Sequence, residues 1–83
     1  MKIYKRKTWQ YETTGTEKNS VLFGVYIFEY KWRDTGERVK VKDPLYGQDY
    51  AFPVYNVTIE GIDYSFAGGE LSNGVYGFYV LKY

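Results

Sequence analysis

No cysteine and no histidine occur in this chain. Those two absences together exclude disulfide staples, zinc sites built from Cys and His, cysteine nucleophiles and histidine general bases. No apolar run approaches the ~20 residues of a membrane-spanning helix. Behind the charges of Met1 to Lys7 there is no apolar stretch, which argues against a secretory leader. Secreted domains this small are usually disulfide-stapled, so a cysteine-free chain of 83 residues reads as cytosolic. Alanine is confined to Ala51 and Ala67, and lysine outnumbers arginine, which reads as the coding bias of an AT-rich bacterial or phage genome. With 83 residues the chain is one domain, 1–83, with a thin core.

Aromatic rings supply what the scarce residues do not. A tyrosine is followed two residues later by a phenylalanine four times: Tyr26 and Phe28, Tyr50 and Phe52, Tyr64 and Phe66, Tyr76 and Phe78. Trp9 with Tyr11 and Tyr30 with Trp32 repeat the spacing. Residues two apart share one face of a strand and diverge on a helix. The pattern therefore predicts an all-β antiparallel meander of about six strands, rolled into a barrel or folded as a sandwich, with little or no helix.

The strands follow from local patterning. The first is expected over 2–13, with Trp9 and Tyr11 anchoring its far end; the run Lys5-Arg6-Lys7 suits a sheet edge. Residues 21–33 read as the longest strand, apolar on both faces to Phe28 and bent near Gly24. Asp34-Thr35-Gly36 reads as a hairpin turn leading to a strand with Val39 and Val41 inward. Residues 43–49 form the longest irregular segment, since no strand runs through both Pro44 and Gly47. Residues 51–60 and 62–67 pair across Glu60-Gly61, with Ile59 opposite Ile62, Val57 opposite Tyr64 and Tyr55 opposite Phe66. Residues 67–74 read as a Gly-rich connector, and 75–83 as a last strand buried on both faces. Gly24 to Phe28 resembles Gly74 to Phe78, a match that reads either as chance in a Tyr-rich chain or as two equivalent strands.

Charge is uneven along the chain. Residues 1–42 carry ten of the eleven Lys and Arg and five of the ten acids, a balance of +5. Residues 43–83 carry Lys82 against five acids, a balance of −4. The charges read either as solvated outer faces that keep strand edges from aggregating or as a field that steers partners.

Catalysis is poorly supplied. Asp43 and Asp49 bracket a loop, but their spacing matches no calcium-loop pattern and both suit turn formation. A non-enzymatic protein without metal or cofactor is expected. Eleven tyrosines exceed what so small a core hides, and exposed tyrosine makes good protein contacts. The expected function is a small binding module acting on a protein partner through an aromatic and basic β-surface, of the kind phages and mobile elements encode as stoichiometric inhibitors. The candidate binding residues are Tyr4, Lys5, Arg6, Lys7 and Trp9 of the basic first strand and Tyr46 and Tyr50 of the longest loop. The alternative is a small β-barrel for single-stranded nucleic acid, because rings alternate with cations in Tyr4 to Trp9 and in Tyr30 to Arg33. The modest net charge of +1 weighs against it. No membrane contact is expected.

Overall fold

The computed structural model describes residues 6–72 and 74–83. Thr8–Gly15 forms β1, and Val21–Leu22 and Val25–Tyr26 form the two-residue strands β2 and β3. Trp32–Lys42, Asp49–Ile59, Ile62–Glu70 and Tyr76–Lys82 form β4, β5, β6 and β7. A single 3₁₀ turn at Ile27–Glu29 is the one helical element among the described residues. The order β1-β7-β6-β5-β4 makes one antiparallel sheet, and β2 pairs with β3 as a separate hairpin. The sheet curls until its edges β1 and β4 touch, but no strand pairing joins them.

The hairpin of β5 and β6 has the register its pattern predicts: Ile59 opposite Ile62, Val57 opposite Tyr64, Tyr55 opposite Phe66. Its other face carries two cross-strand hydrogen bonds, Thr58 Oγ1 to Asp63 and Ser65 Oγ to Asn56 at 2.7 Å. Pro53, which cannot donate to a ladder, lies opposite Arg38 and just outside the stretch where β5 pairs with β6.

Two apolar clusters lie on opposite faces of this one sheet, offset along the strands. The first contains Val57, Ile59, Phe66 and Phe78, covered by Leu22 and Ile27 of the β2–β3 hairpin and the 3₁₀ turn. The second contains Val41, Phe52, Val54, Ala67, Leu71 and Tyr79, with Trp9 and Tyr11 packed on it inside the curl. Ring contacts hold both: Phe66 meets Trp32 at 5.1 Å and Phe78 at 5.8 Å, and Tyr79 meets Phe52 and Tyr11 at 5.9 Å each. Such pairs contribute about 0.5–1.5 kcal/mol each beyond their buried area.

Four readings of the sequence require correction. Residues 21–33 are not one strand. The chain reverses at Phe23-Gly24, both with positive φ, and β2 pairs back on β3. Gly24 to Phe28 and Gly74 to Phe78 therefore do not occupy equivalent places: the first forms a hairpin and 3₁₀ turn, the second leads into β7. Asp34-Thr35-Gly36 does not close a hairpin. It starts a bulge within β4, where Asp34 opposes Tyr55 and Arg38 already opposes Pro53. The turn chemistry is still there: Gly36 has φ 82° and donates its amide to Asp34 Oδ1 at 2.8 Å, and Thr35 Oγ1 donates to the Val54 carbonyl at 2.8 Å. Finally, Gly68-Gly69 is strand, not connector, because β6 continues to Glu70. Glycine is needed there for space, since a Cβ on Gly69 would stand 2.7 Å from the Phe52 ring. The first strand is observed from Thr8, and residues 2–5 of its expected range lie outside the described residues.

Candidate functional site

The loop joining β4 to β5, residues 43–48, is built around a buried carboxylate. Asp43 is 4% exposed. Its Oδ1 accepts the Leu45 amide at 2.7 Å and the Tyr46 amide at 3.3 Å. The Asp43 amide donates to the Gln48 carbonyl at 2.8 Å, and the Gly47 amide donates to the Asp43 carbonyl at 3.0 Å. Gly47 takes φ 68°, which lets the loop close. Pro44 fixes one further torsion. This frame holds Leu45 and Tyr46 outward, each 74% exposed.

Below the loop lies the seam where β1 meets β4. Trp9, Lys40, Val41, Lys42 and Asp49 line a groove there of about 360 Å³. Trp9 is half-buried and packs on the second cluster. Asp49 faces Lys40 at 3.5 Å and Lys42 at 3.4 Å. The hydrogen bond from Lys42, with the charges of both lysines, holds the Asp49 carboxyl below its ordinary range despite some desolvation. Lys42 Nζ also donates to the Gly47 carbonyl at 3.4 Å, tying the groove to the loop.

The residues singled out from sequence fall in distinct places. Arg6 and Lys7 are exposed just before β1, with Lys7 Nζ 5.2 Å from the centre of the Tyr83 ring. Tyr4 and Lys5 lie outside the described residues. Trp9 and Tyr46 come to the same end of the molecule, at the seam and on the loop above it. Tyr50 is half-buried and acts as a strut: its hydroxyl accepts the Ser72 amide at 3.0 Å and donates to Gln48 Oε1 at 3.4 Å. Leu45, Lys40 and Lys42 were not singled out, and Asp49 was considered only with Asp43, as a pair of turn aspartates. The apolar Leu45 beside Tyr46, between Pro44 and Gly47, was the available signal. Nothing local in the sequence indicated that β1 and β4 would meet.

A second cleft, of about 520 Å³, opens where β6 and β7 part beyond the Ala67–Tyr79 pair. The β2–β3 turn wedges into it, with the Phe23 ring stacked on Tyr64 at 4.5 Å. Its charged side chains are engaged: Glu12 with Lys82, and Asp63 with Arg33 and Thr58.

Asp43 and Asp49 have different partners, backbone amides and lysines respectively, and do not converge. The Tyr79 hydroxyl is buried and donates to the Lys42 carbonyl at 3.0 Å. Desolvation first, then the charge of Asp43, pushes it up to about 12. No group of three potential metal ligands occurs among the described residues, and none of their helices is long and apolar enough to cross a membrane. No protein-family model, no curated protein and no solved structure matches the chain.

Proposed function

We propose that this chain is a non-enzymatic binding module that engages a protein partner through the 43–48 loop and the seam beneath it. One observation carries the reading: Leu45 and Tyr46 stand 74% exposed on a loop whose own hydrogen bonds hold it in place. Leaving such side chains in water forgoes about 1.5–3 kcal/mol for a leucine. A loop already ordered loses little further freedom on docking. Tyrosine is also among the residues that dominate interface energetics. A stoichiometric inhibitor of the kind mobile elements encode fits this form, and a cysteine-free chain suits a reducing compartment such as the cytoplasm.

The nucleic-acid alternative loses part of its support. In Tyr30 to Arg33 the rings are not a stacking platform: Trp32 packs against Phe66 and Phe78 and donates its indole N–H to the Ile27 carbonyl at 2.9 Å. Among the described residues of the Tyr4 to Trp9 run, it keeps the exposed pair Arg6 and Lys7 beside a half-buried Trp9.

The test is capture from a lysate of the native host, with and without nuclease, using the wild-type chain and a Leu45→Ser/Tyr46→Ser variant as baits. Wild type is expected to retain a protein after nuclease treatment and the variant to lose it. Retention that vanishes with nuclease, or that the variant keeps in full, overturns the reading.

A further inference from the structure

The β6–β7 ladder ends early, and the register shows which backbone groups are left open. Ile59 and Ile62 flank the two-residue turn at Glu60-Gly61 and form a bonded pair, so Val57–Tyr64 and Tyr55–Phe66 are the next bonded pairs. Asp63, Ser65 and Ala67 therefore direct their N–H and C=O groups away from β5. Ala67 meets Tyr79 there, which turns the backbone groups of Tyr79, and of Leu81 two residues on, toward β6. Continued regularly, the ladder would bond Ser65 to Leu81. It stops instead at Ala67–Tyr79, and among the described residues no strand pairs with either edge beyond it.

The parted edges enclose the cleft of about 520 Å³, a volume that remains open beside the wedged β2–β3 turn. Sites that enclose small ligands span about 300–1,000 Å³. Asp63, Ser65 and Leu81 are all exposed, so water reaches both edges. Leu22, Phe23, Tyr64 and Val80 make one wall apolar. Phe23 holds its ring there at φ 56°, a backbone conformation that bulky residues rarely adopt. Strain of that kind collects where ligands are clamped. The charges of the cleft cancel in pairs, Glu12 with Lys82 and Asp63 with Arg33. An occupant therefore meets a peptide edge on each side, an apolar wall and no uncompensated charge. An extended peptide without charge matches all three. Successive residues of such a peptide direct their backbone groups to opposite sides, so one bonds Ser65 and the next bonds Leu81. Their side chains alternate between the apolar wall and water.

We propose that this cleft takes a short, uncharged, extended segment of a protein partner, which bridges Ser65 of β6 and Leu81 of β7 and restores the interrupted ladder. The surface is separate from the 43–48 loop. That loop precedes Asp49 at the start of β5, whereas the cleft flanks the part of β6 paired with the end of β5.

The experiment titrates the isotope-labelled protein with a short capped peptide of alternating threonine and valine, reading amide shifts and hydrogen exchange. The controls are the same peptide with every amide N-methylated, valine–glutamate and valine–lysine counterparts, and octanol. The neutral peptide is expected to move the amides of Asp63, Ser65 and Leu81 and slow their exchange, leaving Leu45 and Tyr46 unchanged. The methylated and charged peptides are expected to bind at least about tenfold more weakly, as the loss of one or two hydrogen bonds or the burial of a charge implies. Leu81→Pro removes one cleft-facing N–H at a place where a strand edge accepts proline, and is expected to weaken the neutral peptide by about tenfold. The methylated peptide makes the same test on the unaltered fold. No binding of the neutral peptide, equal binding of its methylated or charged forms, or shifts confined to the 43–48 loop overturns the proposal. So does octanol protecting the same amides more strongly, which favours a small apolar ligand. Host-protein capture that depends on Leu45 and Tyr46 is read separately, so either reading fails without the other.

Discussion

Replacing Phe66, Phe78 and Phe52 by leucine, singly and in pairs, tests whether the two apolar clusters are separate. Phe66 and Phe78 are fully buried, with ring centres 5.8 Å apart in the first cluster. Phe52 lies on the opposite face, and its ring partners are Tyr50 and Tyr79. Among the described residues it shares no ring partner with Phe66, which meets Phe23, Trp32, Tyr55 and Phe78. Truncating any of the three to alanine would cost about 3–5 kcal/mol. The whole domain, at about 0.05–0.15 kcal/mol per residue, has on the order of 4–12 kcal/mol to lose. Leucine is the better probe because it keeps most of the volume; each single change is expected to cost about 1–2 kcal/mol. Phe66→Leu with Phe52→Leu should add to within about 0.5 kcal/mol. Phe66→Leu with Phe78→Leu should cost less than the sum by about 0.5–1.5 kcal/mol, because the first change already breaks the ring pair. Urea unfolding followed by tryptophan fluorescence gives the values. Additivity within the first cluster together with strong coupling across the sheet would refute the two-cluster description.

Three further outcomes follow from single contacts. Gly69→Ala drives a Cβ into the Phe52 ring and should cost about 1–3 kcal/mol in thermal or urea unfolding, with part recovered by Phe52→Leu, which removes the clashing ring. The Tyr79 hydroxyl has a folded pKa raised to about 12 above an ordinary value of 10, so the unfolded chain releases its proton first. Stability from this group is therefore full below pH 10 and is lost as pH rises toward 12; in alkaline unfolding, Tyr79→Phe should show a shallower loss over that window, at the expense of the bond to Lys42. Asp43→Ala removes the acceptor for two loop amides and should cost about 1–2 kcal/mol, with faster hydrogen exchange at Leu45 and Tyr46.

The sequence resolved strands wherever a single face was buried over several residues. Tyr55, Val57 and Ile59 alternate with Asn56 and Thr58, so the β5–β6 register was legible to the residue. It misled where one local signal serves two structures. Asp34-Thr35-Gly36 makes the same Asx-type bond in a hairpin and in a bulge, and only the continuing pairing of Arg38 with Pro53 distinguishes them. Val21 to Phe28 reads as a strand because it is apolar throughout; the turn is hidden because Phe23, not a glycine or asparagine, takes φ 56°. Gly68-Gly69 reads as loop because the need for glycine comes from Phe52, distant in sequence. The exposed Tyr46 was legible from its loop. The meeting of Trp9 with Lys40 and Lys42 was not, since it depends on the curl of the whole sheet.

β5, β6 and β7 each lend residues to both faces: Val57 and Phe52, Phe66 and Ala67, Phe78 and Tyr79. Each cluster has a cover of its own, the β2–β3 hairpin on the first and β1 on the second, but both rest on these three strands. Losing one would strip burial from the same three strands that hold the other, so the central ladder has no half-folded form to rest in. Its amides should exchange with solvent only when the entire chain opens, at one shared free energy. The β2–β3 hairpin, two residues to a strand, is free to open on its own well below that threshold.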